Sequence, residues 1–186
     1  RMETMPHYGA VEPIETSLAP RAYVIASAPS APSAPSAPSA PSAGAAPGAP
    51  GAPGRPPRVI ASPTARMMAS VIDRLTAHGI KYFVTSRAIT LKAERFKIES
   101  SQQETQEYQA HKLRTLTGAW EATEQLLPAG SLVVPMDKPL ARLAFILFDA
   151  RSDDGFMAWN ILDAVLGAAP TPEYYPVLRT METIAR

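Results

Sequence analysis

The sequence has no cysteine and only three histidines, and these two shortages exclude several kinds of site. Without cysteine, the chain has no disulfide scaffold, no thiolate zinc site and no cysteine nucleophile. The net charge of +1 gives no electrostatic footprint for nucleic acid. No apolar run reaches the roughly 18 residues that a membrane-spanning helix needs. Neither a nucleic-acid partner nor a membrane span is therefore predicted.

The three histidines are His7, His78 and His111. A His-x-x-Glu zinc site needs a carboxylate three residues after a histidine, and here those positions hold alanine, lysine and arginine. The serines lie in no Gly-x-Ser-x-Gly context, and no glycine-rich phosphate loop is present. The sequence therefore predicts no catalytic, cofactor-binding or metal-binding residue, and no cofactor, in this chain.

Proline is abundant, and half of it is concentrated in one stretch: residues 27–58 hold ten of the 20 prolines. Five Ser-Ala-Pro units are followed by Ala-Pro-Gly units. Proline at every third position removes backbone donors and prevents a helix or a strand ladder, so the stretch is predicted to be a disordered tether. Residues 1–26 are then the lead-in and first strand of a domain whose main body is 59–186.

Apolar patterning outside the tether predicts an α+β fold, with a small mixed sheet and two or three helices. Ser62-Pro63 marks a helix start that ends at His78-Gly79, and Lys138-Pro139 opens a second helix. Strands are predicted at 22–26, 80–84 and 131–135, with two or three antiparallel strands within 88–125 around a polar loop at 100–106.

An acidic turn, Asp153-Asp154-Gly155, precedes an apolar segment that begins at Phe156. Two adjacent carboxylates are too few for a calcium loop, so the pattern favours a helix N-cap or a turn. Trp159 in that segment is interpreted as a core or interface anchor.

Several short segments, taken in order, resemble one known family. They are PAGSLVVP at 128–135, PLARLA at 139–144, RSDDG at 151–155, WN at 159–160 and YPVLR at 175–179. This order is similar to the C-terminal region of bacterial zinc metallocarboxypeptidases of the carboxypeptidase A-like superfamily, which follows the peptidase domain. The chain departs from the pattern in its long proline-rich insertion, and at 148–150, where Phe-Asp-Ala stands in place of Leu-Glu-Pro.

The resemblance implies a non-catalytic C-terminal domain of a secreted, extracytoplasmic protein that hydrolyses C-terminal peptide bonds with zinc. None of that family's zinc ligands, nor its general base, matches a position here, so they are expected upstream, and the start at Arg1 is interpreted as that of a piece of a longer protein. The expected partners are the upstream peptidase domain and a peptide substrate. The candidate structural and docking residues are Leu140, Leu143, Leu147, Asp153, Asp154, Gly155, Phe156, Trp159 and Asn160.

An alternative is a tethered binding module for a peptide or a cell-wall polymer. It is suggested by the long spacer and by aromatic residues expected to be exposed, Tyr174 and Tyr175. A self-contained hydrolase would need a site that the residue pattern does not supply.

Overall fold

The computed structural model describes residues 19–27 and 61–184, which contain six strands and three helices. The elements are β1 (Ala22–Ile25), α1 (Pro63–Ala77), β2 (Phe83–Val84), β3 (Ile89–Gln103), β4 (Arg114–Leu127), β5 (Leu132–Pro135), α2 (Ala141–Phe148), α3 (Asp163–Leu166) and β6 (Tyr174–Thr180). The strands form one sheet in the order β2-β5-β1-β6-β3-β4. The predicted α+β class is confirmed, but the sheet is antiparallel at every pairing of these strands instead of mixed.

Helix α1 begins and ends as its sequence predicts. The Ser62 hydroxyl accepts a hydrogen bond from the Ala65 backbone N–H at 3.1 Å, and Pro63 occupies the first turn, where no backbone donor is needed. Gly79, at φ +71°, reverses the chain after the C-cap residue His78. The helix buries Met67, Val71 and Leu75 against the sheet.

The helices lie on one face of the sheet. Side chains from all three helices join Tyr23, Phe96 and Val177 in the main apolar cluster. The opposite face carries a smaller cluster around Val24 and Leu178 to which no described helix contributes. Strand β1 is buried throughout because it lies between β5 and β6, which explains its uninterrupted apolar sequence.

Ser27, the first residue of the predicted tether, is held beside β5. Its N–H donates to the Ser131 hydroxyl at 3.1 Å, and its own hydroxyl donates to the Ala129 carbonyl at 2.9 Å. The rest of the predicted tether, 28–58, lies outside the described residues, as does most of the lead-in, 1–18.

A long hairpin, β3 with β4, dominates one side of the sheet. The predicted polar loop at 100–106 is placed too early, because β3 continues to Gln103. Ser100 and Thr117 share a hydroxyl hydrogen bond of 2.8 Å across the two strands, which fits polar residues into an exposed ladder. The pairing register shifts between Ile98 and Ser100, and this bulge separates the outer part of the hairpin from the inner part.

The final aromatic segment forms strand β6 inside the sheet, although it contains Pro176. Strand β6 pairs with both β1 and β3, but its register against β3 shifts between Arg95 and Lys97. Pro176 lies within that irregularity. A proline cannot donate to a ladder, so an irregular pairing is where an interior strand can accommodate it.

Candidate functional site

A groove of about 220 Å³ lies where the ends of α1 and α2 meet the β3–β4 connection and the turn after α2. Basic, aromatic and aliphatic side chains surround it together. Its lining residues are Arg74, His78, His111, Leu147, Asp154, Gly155, Phe156, Trp159 and Ile161. Five of the nine residues that the sequence nominated for docking are therefore brought together here.

Gly155 and Phe156 shape the groove wall. A Cβ at position 155 would lie 2.8 Å from the Ile146 carbonyl oxygen, so only glycine allows the turn to approach α2 this closely. The Phe156 N–H donates to the Leu147 carbonyl at 2.8 Å, and the buried ring packs edge-on against Phe148 at 5.1 Å between centroids. These contacts attach the turn to the end of α2.

Trp159 lies on the groove surface, only partly buried. Its indole N–H donates to the Asp154 carboxylate at 2.8 Å, and its ring meets His111 edge-on at 5.5 Å and Tyr108 at 6.2 Å. The carboxylate fixes one edge of the indole while the neighbouring rings restrict its rotation. Of the two roles predicted for Trp159, the structure therefore favours a surface anchor over a core residue.

The acidic turn does not cap a helix. Helix α3 begins later, its N-cap position is Leu162, and no side chain bonds to that cap. Asp154 instead accepts the indole N–H, and its own N–H donates to the Ser152 hydroxyl at 3.3 Å. Asp153 is exposed. The N-cap alternative is wrong and the turn alternative is confirmed, because residues 153–162 form consecutive turns before α3 begins.

The tip of the β3–β4 hairpin is a two-residue turn with unusual backbone geometry. Tyr108 and His111 exchange backbone hydrogen bonds of 2.8 and 2.9 Å around Gln109 and Ala110, whose φ angles are +49° and +64°. Such a turn favours glycine or asparagine, so glutamine and alanine hold it at a cost of about 1–2 kcal/mol each. The turn directs His111 and Tyr108 towards Trp159.

Asn160 is the third non-glycine residue with a positive φ, +63°, within 19–27 and 61–184. Its side-chain amide donates to the Lys112 carbonyl at 2.9 Å, joining the turn at 153–160 to the hairpin tip. All three such residues thus lie at one junction. Strain of this kind persists where the surrounding contacts enforce it, and it concentrates at binding and active sites.

Arg114 anchors the base of this junction. Its Nε donates to Asp163 Oδ1 at 3.1 Å, and its Nη1 donates to the Ser101 hydroxyl at 2.8 Å. Its backbone N–H donates to the Ala158 carbonyl at 3.2 Å. The Arg114 side chain is almost fully buried, at 9% exposure, and the Asp163 side chain is 28% exposed, so this ion pair is partly shielded from solvent and well positioned.

The charge around the groove favours an anionic or aromatic partner. Arg74 and the two histidines supply donors, whereas the one lining carboxylate, Asp154, already accepts the indole hydrogen bond. Leu147 and Ile161 supply apolar surface. In the described part of the chain, no three His, Cys, Asp or Glu side chains are grouped to hold a metal ion. The arrangement is suited to binding an apolar group that carries negative charge beside it.

The three leucines nominated around α2 are only partly brought together. Leu143 and Leu147 are both partly buried against the main apolar cluster, and Leu147 also lines the groove. Leu140 is 39% exposed and lines a separate cavity of about 110 Å³ with Ile80 and Pro139. The three leucines do not form one docking surface.

The two tyrosines expected to be exposed differ. Tyr175 is buried, its hydroxyl donates to the Phe148 carbonyl at 3.2 Å, and burial raises its pKa. Tyr174 is partly exposed beneath the Arg95 guanidinium, 3.8 Å from its ring centroid. Exposure of Tyr175 was a wrong prediction, since its position in β6 directs it into the core. Burial also raises the pKa of Tyr23, the other phenol in this cluster.

Sequence reasoning missed the groove contributions of Arg74, His78 and His111, and the contact of Tyr108 with Trp159. His111 lies 33 positions after His78, so no local spacing connects them. One usable signal was the Gln109-Ala110 pair between two β-prone stretches, which marks a hairpin turn only once the strands are known to extend that far.

No protein-family model, curated protein or solved structure matches this chain. Within the described residues, none of the helices is both long and apolar enough to cross a bilayer.

Proposed function

We propose that this chain is the non-catalytic C-terminal domain of a secreted zinc metallocarboxypeptidase-like protein, and that it supports the peptidase domain by holding it at the Trp159 groove. The observation that carries the proposal is the groove itself. Five of the candidate docking residues, Leu147, Asp154, Gly155, Phe156 and Trp159, line one surface cavity. Three of them, Asp154, Gly155 and Trp159, belong to the segments that resemble the family.

The physical character of the groove supports contact with a polypeptide surface. A partly exposed tryptophan with a fixed orientation is a typical interface anchor, because it contributes a large contact area at little entropic cost. Arg74, His78 and His111 around it complement an acidic side chain on the partner. The strained backbone at 109–110 and 160 presents these rings together.

The first test is to read the coding frame that precedes Arg1. The proposal expects a His-x-x-Glu pair followed by a later histidine within the preceding few hundred codons, because those side chains would hold zinc upstream. A preceding frame without that triad would refute the assignment to a metallocarboxypeptidase, whatever the groove binds.

The second test measures binding between the separately produced upstream domain and this chain. Trp159→Ala is expected to weaken the complex by tenfold or more, since central tryptophans cost about 2 kcal/mol or more when truncated. Tyr174→Ala is the matched control, because Tyr174 is also a partly exposed aromatic but lies on the sheet at a distance from the groove lining. Equal losses in both variants, or none, would contradict docking at the groove.

A second candidate function is a binding module for a peptide or a cell-wall polymer. The observation that favours it is Tyr108, which is 55% exposed beside Trp159 and so offers a second ring to a ligand. In that case the isolated chain would bind the ligand saturably, and Tyr108→Ala would weaken binding about as much as Trp159→Ala. Binding to the upstream domain alone would favour the first proposal.

A further inference from the structure

The outer edge of β4 differs between its two halves. Strand β4 is the last strand of the sheet on its side, so its outward backbone groups face no other strand in the described part of the chain. The Arg114 N–H bonds to the Ala158 carbonyl, and the Gly118 carbonyl accepts from Arg151 Nη2 at 3.2 Å. The first half of the edge, up to Gly118, is thus covered by the turn that follows α2.

These two bonds also give the direction of every backbone group along β4. Along a strand, the backbone N–H and C=O groups of successive residues point to alternate edges, so those of the even-numbered residues of β4 point away from β3. The register against β3 runs without a shift from Gly118 to Leu127, so this alternation continues to the end of the strand. Ile98, the partner of Gly118, accordingly points its N–H away from β4, to the Glu173 carbonyl. The backbone groups of Trp120, Ala122, Glu124 and Leu126 therefore point away from β3, and no described residue bonds to them.

The uncovered half, residues 119–127, has little of the protection usual for an edge strand. It contains no proline, no lysine and no bulge, and Ala119, Ala122 and Leu126 are exposed. Leu126 is the most exposed large apolar side chain in the described residues, at 64%. An edge of this length with free backbone donors and acceptors is a template for another strand.

We propose that the uncovered half of β4 pairs with the same segment of a second copy of this chain, antiparallel and centred on Thr123. The proposal rests on the edge geometry and is independent of the proposed function. A two-fold axis is the commonest symmetry of soluble dimers, and it requires the segment to be complementary to itself.

The register follows from three constraints. Thr123 is the midpoint of 119–127, so centring there pairs the whole uncovered half and leaves the covered half outside the ladder. Each Leu126 then lies opposite Trp120 of the other copy, on the same face of the extended sheet. Centring on Glu121 or Glu124 instead would place like charges directly opposite each other, which destabilises a ladder.

A cysteine placed at the two-fold axis tests this register, since the chain has no cysteine of its own. In the proposed dimer the two Thr123 residues form a non-hydrogen-bonded pair with Cα atoms about 4.5 Å apart, within reach of a disulfide. Thr123→Cys is expected to convert most of the chain to a covalent dimer on mild oxidation, seen as doubled mass on non-reducing gels.

Gln125→Cys is the matched control, because it lies on the same strand and the same face. In the proposed register its counterpart is four residues along the partner strand, roughly 13 Å away, too far for a disulfide. Efficient cross-linking of Gln125→Cys, or none of Thr123→Cys, would overturn the register.

Sedimentation of the unmodified chain tests the dimer itself. The 19.9 kDa protomer is expected to double its mass as concentration rises. Leu126→Glu should raise the dimer dissociation constant about tenfold or more, whereas Val84→Glu, at an exposed apolar site on the opposite edge strand β2, should leave it unchanged. A wild-type chain that stays at protomer mass up to about 1 mM would refute the proposed dimer.

Discussion

The two ends of the β3–β4 hairpin are built from one continuous ladder, yet they are stabilised differently. Beyond the bulge, the tip half is joined to residues 151–163 by Arg114, Arg151 and Asn160. The base half of β4 pairs only with β3 in the described part of the chain, and the ion pairs between these two strands are long and exposed: Glu121 lies 3.9 Å from Arg95 and 4.0 Å from Lys97. The short ion pair of the base half, Arg179 Nε with Glu94 Oε2 at 2.6 Å, joins β3 to β6 instead.

The difference between the two halves lies in the contacts that each makes outside the hairpin. At the tip, backbone and side-chain hydrogen bonds from a distant segment hold strained residues and aromatic rings in place around the groove. At the base, β3 pairs with β6 as well as with β4, whereas β4 pairs with β3 alone among the described strands, so the outer edge of β4 remains available for intermolecular pairing. The tip of the hairpin therefore contributes to a groove with fixed side chains, whereas its base presents a strand edge that can pair with another chain.

Gly118 lies at the boundary of the two halves, and replacing it with alanine should have the largest effect. A Cβ there would fall 1.9 Å from the Lys97 carbonyl oxygen and 2.9 Å from the Phe96 ring. The ladder must move to admit it, so Gly118→Ala should lower the free energy of unfolding by about 3 kcal/mol. Urea denaturation measures the loss, with Thr115→Ala, at an exposed position on the same strand, as the control. A change below about 1 kcal/mol would mean that the two halves are joined less tightly than the contacts indicate.

Arg114→Ala should have a similar or slightly smaller effect, because it leaves the partly buried Asp163 carboxylate without its cation. Removing one partner of such a pair costs about 2–3 kcal/mol, somewhat less than for a fully buried pair. Lys97→Ala, which breaks an exposed pair in the base half, should cost less than about 1 kcal/mol. Similar losses in the two variants would remove the proposed contrast between the ends of the hairpin.

Replacing Asn160 should have the smallest of these effects, and it tests the contact between the turn at 153–160 and the hairpin tip. Asn160→Ala removes the hydrogen bond to Lys112 and places alanine at a φ of +63°, so stability should fall by about 1–2 kcal/mol. Asn160→Gly also loses the bond but tolerates that backbone angle, so its loss should be the smaller of the two. Hydrogen exchange at residues 108–112 should quicken in both variants. Unchanged exchange there would show that the tip does not depend on this contact.

Local chemistry made part of the fold predictable. Ser62, Pro63 and Gly79 bracket α1 because capping and helix termination depend on a few neighbouring residues. The apolar runs in β1 and β5 also marked strands, since both are central enough to be buried on their two faces. No strand was predicted at β6, where Pro176 interrupts the aromatic segment; an irregular pairing accommodates a proline that a regular ladder would exclude.

The candidate site was predictable only in part. The turn at 153–156 was marked by its acidic residues and glycine, but its role depends on partners far away in sequence. Asp154 was expected to cap a helix or to form a turn; it lies in a turn, and its carboxylate accepts the Trp159 indole N–H. His111 carried no local pattern at all, because its place in the groove depends on the length of the hairpin and on the turn at its tip.

The sequence by itself determined the α+β composition, the position of α1 and the buried strands, because these follow from short-range capping, turn chemistry and apolar periodicity. Only the tertiary structure decided that Arg74, His111 and Trp159 meet in one groove and that no described segment covers half of the β4 edge. Those outcomes depend on strand order and on contacts between residues tens of positions apart, whose geometry no local pattern specifies.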